Sequence, residues 1–146
     1  MINRSPRRCS ATLATDTLEL VRWPLCRVLL MNDARYPWLI LVPQRPGMRE
    51  IFDLSEEDQA RLLGETRRAA RALAAYGHPD KLNVAALGNV VAQLHLHVIA
   101  RFVGDEAWPR PVWGVHPARP YGEAARQERL TALRRLLGEG GEGGEG

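Results

Sequence analysis

The stretch QLHLHVIAR, residues 93–101, carries the clearest alternation of polar and apolar side chains in this chain. Such alternation predicts a β-strand, whose successive side chains point to opposite faces. Gln93, His95 and His97 would share one face, and the leucines and valine beside them would share the other. We expect the apolar face to pack against a helix. This turns both imidazoles toward solvent, with their backbones ~7 Å apart at a rise of ~3.3 Å per residue.

Three more strands are predicted around this one. Short apolar runs rich in branched residues occupy 27–32 and 38–43, and the turn residues of DARYP between them indicate an antiparallel hairpin. A further strand is expected over 81–88. The short linker NVVAQ predicts that it forms a second hairpin with the strand at 94–102, which contains the histidines.

One long helix is predicted between the two hairpins. Ser55 is a good N-cap, and three acids follow it in the first turn, where they suit the positive end of the helix dipole. Gly77 and Pro79 end the helix. Its arginines, at positions 61, 67, 68 and 71, are expected on a solvated surface. The predicted inner face consists of Leu62, Leu63, Thr66, Ala69, Ala70 and Leu73.

A second helix is predicted at 123–138, with Gly138 as its C-cap. Its inner leucines are Leu130, Leu133, Leu136 and Leu137. An antiparallel sheet with a helix on one face gives the α+β class. The chain of 146 residues has the length of one domain, expected over 16–137. Residues 1–15 are predicted to form a flexible arm and the Gly/Glu-rich residues 138–146 a flexible tail, because neither carries enough apolar surface to order itself.

Charge and cysteine content narrow the class of protein. The formal net charge is +3, from 20 basic and 17 acidic residues, which is too small to indicate nucleic-acid binding. Two cysteines make neither a disulfide framework nor a zinc cluster, and they suit a reducing cytoplasm. No apolar run has the ~20 residues that span a bilayer, and no signal peptide is recognisable. We therefore expect a cytoplasmic protein with no membrane partner.

Three interpretations of the histidine pair stay open from the pattern alone. The simplest is two surface histidines on a strand. The pair could also ligate zinc, although the other two histidines, His78 and His116, lie beside prolines in predicted loops. Third, a neutral imidazole is a competent nucleophile near pH 7, and a second imidazole beside it can hydrogen-bond a phosphoryl oxygen.

The same stretch resembles the signature of the histidine triad (HIT) family, His-φ-His-φ-His-φ-φ, in which φ is apolar. Gln93 stands at the first histidine position. Asn83 and the segment GNVVAQLHLH, residues 88–97, are similar to the residues that lead into the signature, and LILVPQ, residues 39–44, is similar to the end of the family's hairpin. The resemblance covers about residues 17–115 and favours the Hint and Fhit branch. It implies a homodimer and an antiparallel five-stranded sheet with one long helix on one face and a C-terminal helix.

The resemblance also implies a chemistry. In the family the middle histidine, here His95, attacks the α-phosphorus of a nucleotide and forms a nucleotidyl-histidine, which water cleaves. His97 would contact the phosphate oxygens, and the backbone carbonyl of Gln93 would orient His95. The expected substrates are dinucleoside polyphosphates or nucleoside phosphoramidates. No metal or other cofactor is required, although nucleotides often arrive bound to Mg²⁺. The implied substrate-binding residues are Asn83, Gly88, Asn89, Val90, Val91 and Trp113.

Departures from the family pattern leave a second function open. Trp38 stands where many relatives have a further histidine, and Leu30 stands where many have an aspartate for the ribose hydroxyls. A nucleotide-binding module without catalysis is therefore the alternative to an enzyme. Trp108 and Trp113 lie in the Pro-rich stretch AWPRPVWG, residues 107–114. They could form a rigid lid or a base-stacking platform, or they could cover the sheet edge or a dimer interface.

Overall fold

The structure, a computed structural model, describes residues 11–139. Within that range the strands are β1 (Thr17–Arg22), β2 (Cys26–Met31), β3 (Trp38–Pro43), β4 (Lys81–Ala85) and β5 (Leu96–Arg101). The helices are α1 (Ala11–Asp16), α2 (Glu56–Gly77) and α3 (Glu123–Glu139), and a 3₁₀ turn, Ile51–Asp53, precedes α2. None of the helices in this range is long and apolar enough to cross a membrane.

The strands form one antiparallel sheet in the order β1-β2-β3-β5-β4. This confirms the predicted α+β class with a five-stranded antiparallel sheet. β3 and β5 are neighbours although α2 and β4 lie between them in sequence, so the histidine strand occupies the inside of the sheet. β1, for which the pattern predicted no bounds, pairs with β2 through an irregularity between Glu19 and Val21.

The histidine strand is shorter than predicted. Regular pairing in β5 starts at Leu96, so His95 lies in the loop immediately before the strand. β4 likewise ends at Ala85, three residues before its predicted end, and residues 86–95 connect the two strands. The loop that precedes β5 therefore carries the first histidine of the pair, and only His97 lies in the sheet.

Helix α2 begins and ends where its cap residues predict. The Ser55 hydroxyl accepts a hydrogen bond of 3.1 Å from the backbone N–H of Asp58, and His78 takes a left-handed C-cap conformation with φ of 50°. The prediction of Leu63 as a core residue is wrong, because its side chain is 73% exposed. The buried stripe runs through positions 62, 66, 69 and 73, and position 63 is turned ~100° away from it on a helix with 3.6 residues per turn.

Helix α3 packs beside α2 and shows two further differences from prediction. Leu136 is half-buried, whereas Leu130, Leu133 and Leu137 are in the core. Gly138 is not a C-cap, because the helix continues through it to Glu139. Arg68 on α2 is half-buried, whereas the pattern placed it on a solvated surface. Its guanidinium lies 4.2 Å from the centroid of the Trp23 ring and donates to the carbonyl of Leu137 at 2.8 Å.

The predicted arm and tail overlap the described residues only in part. Residues 11–15 of the arm belong to helix α1, and Leu13 is buried there, because it packs against the sheet. Residues 138 and 139 of the tail belong to α3. The remaining residues of both segments, 1–10 and 140–146, lie outside the described part of the chain.

The sheet has a hydrophobic core on both faces, and this corrects the prediction of a solvent face for the histidines. The helices cover the face that carries Leu96 and Val98. Residues 105–119, called the covering segment below, lie across the opposite face, which carries His97. The alternation distinguishes two faces but does not show that a distant loop covers one of them. The buried cluster on this face consists of Leu13, Leu29, Tyr36, Trp38, Ile40, Val42, Ile99, Ala107 and Val112.

Candidate active site

His95 and His97 lie side by side, and the covering segment contacts the His97 ring. Their relative exposures are 6% and 5%, and their ring centroids are 4.9 Å apart with an interplanar angle of 70°. The two rings meet edge to face. A buried polar group needs hydrogen-bond partners, so the partner of each ring decides which of its nitrogens carries a proton.

The His95 ring is held by the backbone two residues before it. Its Nδ1 lies 2.6 Å from the carbonyl oxygen of Gln93. A carbonyl oxygen can only accept, so Nδ1 carries the proton and donates. In the neutral ring the lone pair is then on Nε2, at the opposite edge of the imidazole. This contact involves only the main chain of residue 93 and does not depend on the glutamine side chain.

The His97 ring has the opposite arrangement. The indole Nε1–H of Trp38 donates to its Nδ1 at 2.9 Å, so Nδ1 is unprotonated and the neutral ring carries its proton on Nε2. Burial, with the charge of the nearby His95 as a second cause, lowers the pKa of His97 to about 4. His97 is therefore neutral at pH 7 and presents an N–H donor.

Trp38 and Trp113 enclose the His97 ring from two sides. Their ring centroids lie 5.6 Å and 5.0 Å from that of His97, and 5.7 Å from each other. Trp113 belongs to the covering segment and is half-buried, so the segment reaches the histidine pair directly. Trp108 does not take part in these ring contacts and lies instead against the guanidinium of Arg101, 5.8 Å from its ring centroid.

The other residues that the family resemblance assigns to substrate lie in two places. Asn83 is opposite Ile99 in the sheet and thus shares the face of His97, but its Oδ1 accepts from Nη1 of Arg101 at 2.9 Å. The remaining residues belong to the loop that leads into His95. Gly88, Asn89 and Val90 are exposed there, and Val91 packs against the cluster on the histidine face.

Leu30 is fully buried in the helix-side core, on the opposite face of the sheet from the histidines. In the register of β2 and β3 it faces Leu39, whereas its neighbour Leu29 faces Ile40 on the histidine side. A ligand beside His97 cannot reach Leu30. Leu30 therefore takes no part in recognising the ribose of a nucleotide bound beside His97.

Two structurally important residues were missed by the sequence interpretation. Arg101 is 1% exposed and pairs with Asp105, which lies at the start of the covering segment. A signal was available, because alternation along β5 places Arg101 on the face of His97. An arginine at that position in a buried strand requires a partner.

The described residues offer no group of three or more His, Cys, Asp or Glu side chains that could hold a metal ion. His95 and His97 alone fall short of the three or four protein ligands that a zinc site uses. The arrangement instead provides one imidazole with a free lone pair beside another with a fixed N–H donor. That combination suits attack on an electrophile that carries anionic oxygens.

Comparison with known proteins identifies the family of the chain. The sequence model of the HIT domain matches residues 14–104. The chain belongs to the HIT family. Members of this family are generally nucleotide-binding hydrolases or transferases. A search of curated proteins found no match.

Solved structures of HIT proteins are similar to the chain over nearly its whole length. A histidine triad protein of Bradyrhizobium japonicum is 49% identical, with a TM-score of 0.87 over 90% of this chain and 98% of that one. One from Marinobacter aquaeolei is 47% identical, with a TM-score of 0.88 over 91% and 97%. One from Sinorhizobium meliloti is 42% identical, with a TM-score of 0.86 over 89% and 96%.

Proposed function

We propose that this HIT protein is a nucleotide phosphohydrolase or nucleotidyl transferase that reacts at the α-phosphate through a nucleotidyl-histidine on His95. One observation carries the proposal: the two neighbouring imidazoles are held in opposite tautomers. The carbonyl of Gln93 leaves a lone pair on Nε2 of His95, and the indole of Trp38 leaves a proton on Nε2 of His97. A nucleophile and a hydrogen-bond donor are thereby set side by side.

The proposed reaction has two displacements at phosphorus. In the first, the Nε2 lone pair of His95 forms an N–P bond, and the bond from phosphorus to the leaving group breaks. The leaving group departs with that electron pair and is protonated by solvent. The Nδ1–H that His95 donates to Gln93 stabilises the cationic ring of the intermediate. In the second, water attacks phosphorus and gives up a proton to solvent, and the N–P bond returns its electrons to Nε2.

His97 is proposed to donate its Nε2–H to a non-bridging oxygen of the phosphoryl group. A fixed, neutral donor stabilises charge that grows on this oxygen without first having to reorient. Backbone N–H groups of Val90 and Val91, with Gly88 and Asn89 beside them, are proposed to add donors from the loop that leads into His95.

Asn83 and Trp113 are proposed to bind the substrate from the two sides of the histidine pair. Dinucleoside polyphosphates and nucleoside phosphoramidates are the proposed substrate types, within the Hint and Fhit branch. The reaction as proposed needs no resident metal or other cofactor.

A nucleotide-binding module without catalysis is the second candidate function. It is favoured by the burial of both imidazoles and by the replacement of two family histidines with Gln93 and Trp38. In that case the same donors would hold a phosphate, but no covalent adduct would form. The two candidates make the same prediction for binding and opposite predictions for turnover.

The protein is further proposed to form a homodimer in a reducing cytoplasm. β4 is an edge strand of the sheet, and Val84 on it and Leu87 just after it are 50% and 47% exposed. An open edge with apolar side chains is suited to pairing with a second copy. The thiol of Cys26 is free and buried, which is compatible with a reducing compartment.

The test is turnover of an adenosine phosphoramidate and a diadenosine polyphosphate by wild type and by a His95→Ala variant. We expect the variant to lose at least ~10³-fold in kcat, as for other covalent nucleophiles. His78→Asn is the matched control, because it changes an exposed histidine at a left-handed position that asparagine tolerates. Turnover retained by His95→Ala would overturn the nucleophile assignment.

A second measurement separates the enzyme from the binding module. Rapid acid quenching with a substrate labelled at the α-phosphate should trap a labelled protein in wild type and none in His95→Ala. Calorimetry with AMP reports binding in both cases. Binding of AMP by wild type with neither turnover nor a trapped adduct would support the module instead of the enzyme.

A further inference from the structure

We propose that Trp38 is a positioning residue that locks His97 in its Nε2–H tautomer, so that His97 acts only as a hydrogen-bond donor to the phosphoryl group. This inference rests on the proposed function for its consequence. The lock itself is a property of the free protein and can be measured without any substrate.

The direction of the hydrogen bond between Trp38 and His97 is fixed by the chemistry of indole. Nε1 of Trp38 lies 2.9 Å from Nδ1 of His97. An indole nitrogen can only donate, whereas a histidine, a hydroxyl or an amide could also accept. The alternative tautomer of His97 would place an N–H directly against the indole N–H and would leave both donors buried without an acceptor.

Burial makes this preference strong. Trp38 and His97 are each 5% exposed, so water cannot easily replace either partner. Trp38 comes from β3 and faces Ile99, the residue two beyond His97, so its indole reaches His97 diagonally across the strand pair. Both side chains thus stand on paired central strands, where the sheet fixes their relative position.

Other aromatic rings also pack against the His97 ring. His95 meets it edge to face at 4.9 Å, and Trp113 of the covering segment meets it at 5.0 Å with an interplanar angle of 78°. From β3 and β4 the residues directly opposite it are Ile40 and Ala85, which do not titrate. Close packing on these sides resists rotation of the ring, and the indole hydrogen bond then selects the tautomer.

A histidine at position 38, which the family resemblance leads one to expect, would not select the tautomer in the same way. Imidazole can donate or accept, so it permits a proton on either nitrogen of its partner. Tryptophan removes that freedom. The consequence is that His97 presents Nε2–H in every turnover and does not exchange protons with the reacting groups.

The experiment is to replace Trp38 by β-(3-benzothienyl)alanine, in which sulfur takes the place of the indole N–H. The replacement keeps the size of the two-ring side chain and removes the donor. Long-range ¹⁵N–¹H correlation NMR then reports which nitrogen of His97 is protonated in the free protein. We expect Nε2–H alone in wild type and a measurable Nδ1–H population in the isostere.

Kinetics on the same proteins test the catalytic consequence. We expect kcat of the isostere to fall by about tenfold or more, toward the ~10²–10³-fold that loss of one transition-state donor typically costs, with KM changed little. Trp38→Phe should show the same pattern, and it also removes part of the packing. In the NMR experiment on the free protein, Trp113→Phe is the comparison for packing, because Trp113 contacts the same ring edge to face, and it should keep the wild-type tautomer.

Three results would overturn the proposal: Nδ1–H on His97 in wild type, Nε2–H alone on His97 in the isostere, or an isostere with an altered tautomer and unchanged kcat. A different result would show that the proposed function is wrong: turnover retained by His95→Ala. The NMR spectra of the Trp38 and Trp113 variants would still report whether the His97 tautomer is locked, because they need no substrate.

Discussion

The guanidinium of Arg101 and the carboxylate of Asp105 form a buried, two-pronged ion pair at the end of β5. Nε donates to Oδ2 at 2.8 Å and Nη2 donates to Oδ1 at 3.0 Å. A third donor of the same side chain, Nη1, reaches Asn83 on β4. The Asp105 carboxylate in turn accepts from the backbone N–H groups of Phe102, Ala107 and Trp108. One arginine therefore joins two strands to the covering segment that packs against His97.

Replacing Asp105 by alanine should destabilise the protein by about 3–5 kcal/mol, because it leaves the charge of Arg101 buried and unpaired. Urea unfolding followed by tryptophan fluorescence measures the free energy of unfolding. Asp80→Ala is the matched control. Asp80 also accepts from one backbone N–H, that of Val103, but it is exposed, so its loss should cost about 1 kcal/mol or less. Equal losses in the two variants would contradict a special role for the buried pair.

The same ion pair should make stability fall at low pH. Burial alone would raise the pKa of Asp105, but the hydrogen bonds from Arg101 and from the backbone outweigh it and lower the pKa to about 2. The folded pKa is thus below the ordinary value of 3.8, so the contribution is present above about pH 4 and is lost as pH falls toward 2. Between pH 4.5 and 2.5, wild type should lose more of its unfolding free energy than Asp105→Ala does, by about 1.5 kcal/mol. Parallel pH curves for the two proteins would contradict this.

Glu65 should be the most sensitive acidic residue of α2. Its carboxylate is buried and accepts from the backbone N–H groups of Leu25 and Cys26, at 3.0 and 2.8 Å. Glu65→Ala leaves both donors without an acceptor, at a cost of about 2–5 kcal/mol, and Glu65→Gln should cost less because one carbonyl oxygen remains. Glu57→Ala, on the exposed side of the same helix, should change stability by less than about 1 kcal/mol. Thermal or urea unfolding of the three variants checks this order.

The parts of the fold that depend on local chemistry could be predicted from the sequence. Ser55 caps α2 because its hydroxyl meets a backbone N–H three residues on, and the hairpin of β2 and β3 is determined by two apolar runs and the turn between them. The inside position of the histidine strand could not be predicted in this way. It depends on the pairing of β3 with β5, which are separated in sequence by α2 and β4, and no local sequence pattern indicates such a pairing.

The candidate site, like the fold, could be predicted only in part. Alternation placed His95 and His97 on one face, and the family resemblance pointed to the carbonyl of Gln93. The burial of the two histidines and the hydrogen bond from Trp38 to His97 could not be predicted. Both depend on contacts between strands and on the covering segment. The prediction that Leu63 is a core residue was wrong for a simpler reason. An apolar residue next to the buried stripe of a helix can itself point to solvent.

His97 should make the protein sensitive to mild acid. Burial, with the charge of His95 as a second cause, lowers its pKa to about 4 from an ordinary value of 6.5. The folded state therefore favours the neutral ring, and its contribution is complete above about pH 6.5 and is lost as pH falls toward 4. Between pH 7 and 4.5, wild type should lose on the order of 2–3 kcal/mol more unfolding free energy than His97→Gln. His78→Asn, at an exposed position, should follow wild type, and a His97→Gln curve with the wild-type slope would be inconsistent with the depressed pKa.

The proposed homodimer can be tested at the edge of the sheet. Val84 lies on edge strand β4 with 50% of its side chain exposed, and Leu87 follows it with 47% exposed. A lysine on an edge strand opposes pairing with a second edge, because its charge would have to be buried in the new contact. Val84→Lys should therefore shift the protein from dimer to monomer in sedimentation velocity at micromolar concentration, with little loss of monomer stability. Phe52→Lys, at a residue 77% exposed in the 3₁₀ turn and not on this edge strand, is the control and should leave the dimer intact. A wild-type protein that is monomeric throughout, or a Val84→Lys variant that stays dimeric, would show that β4 does not form the interface.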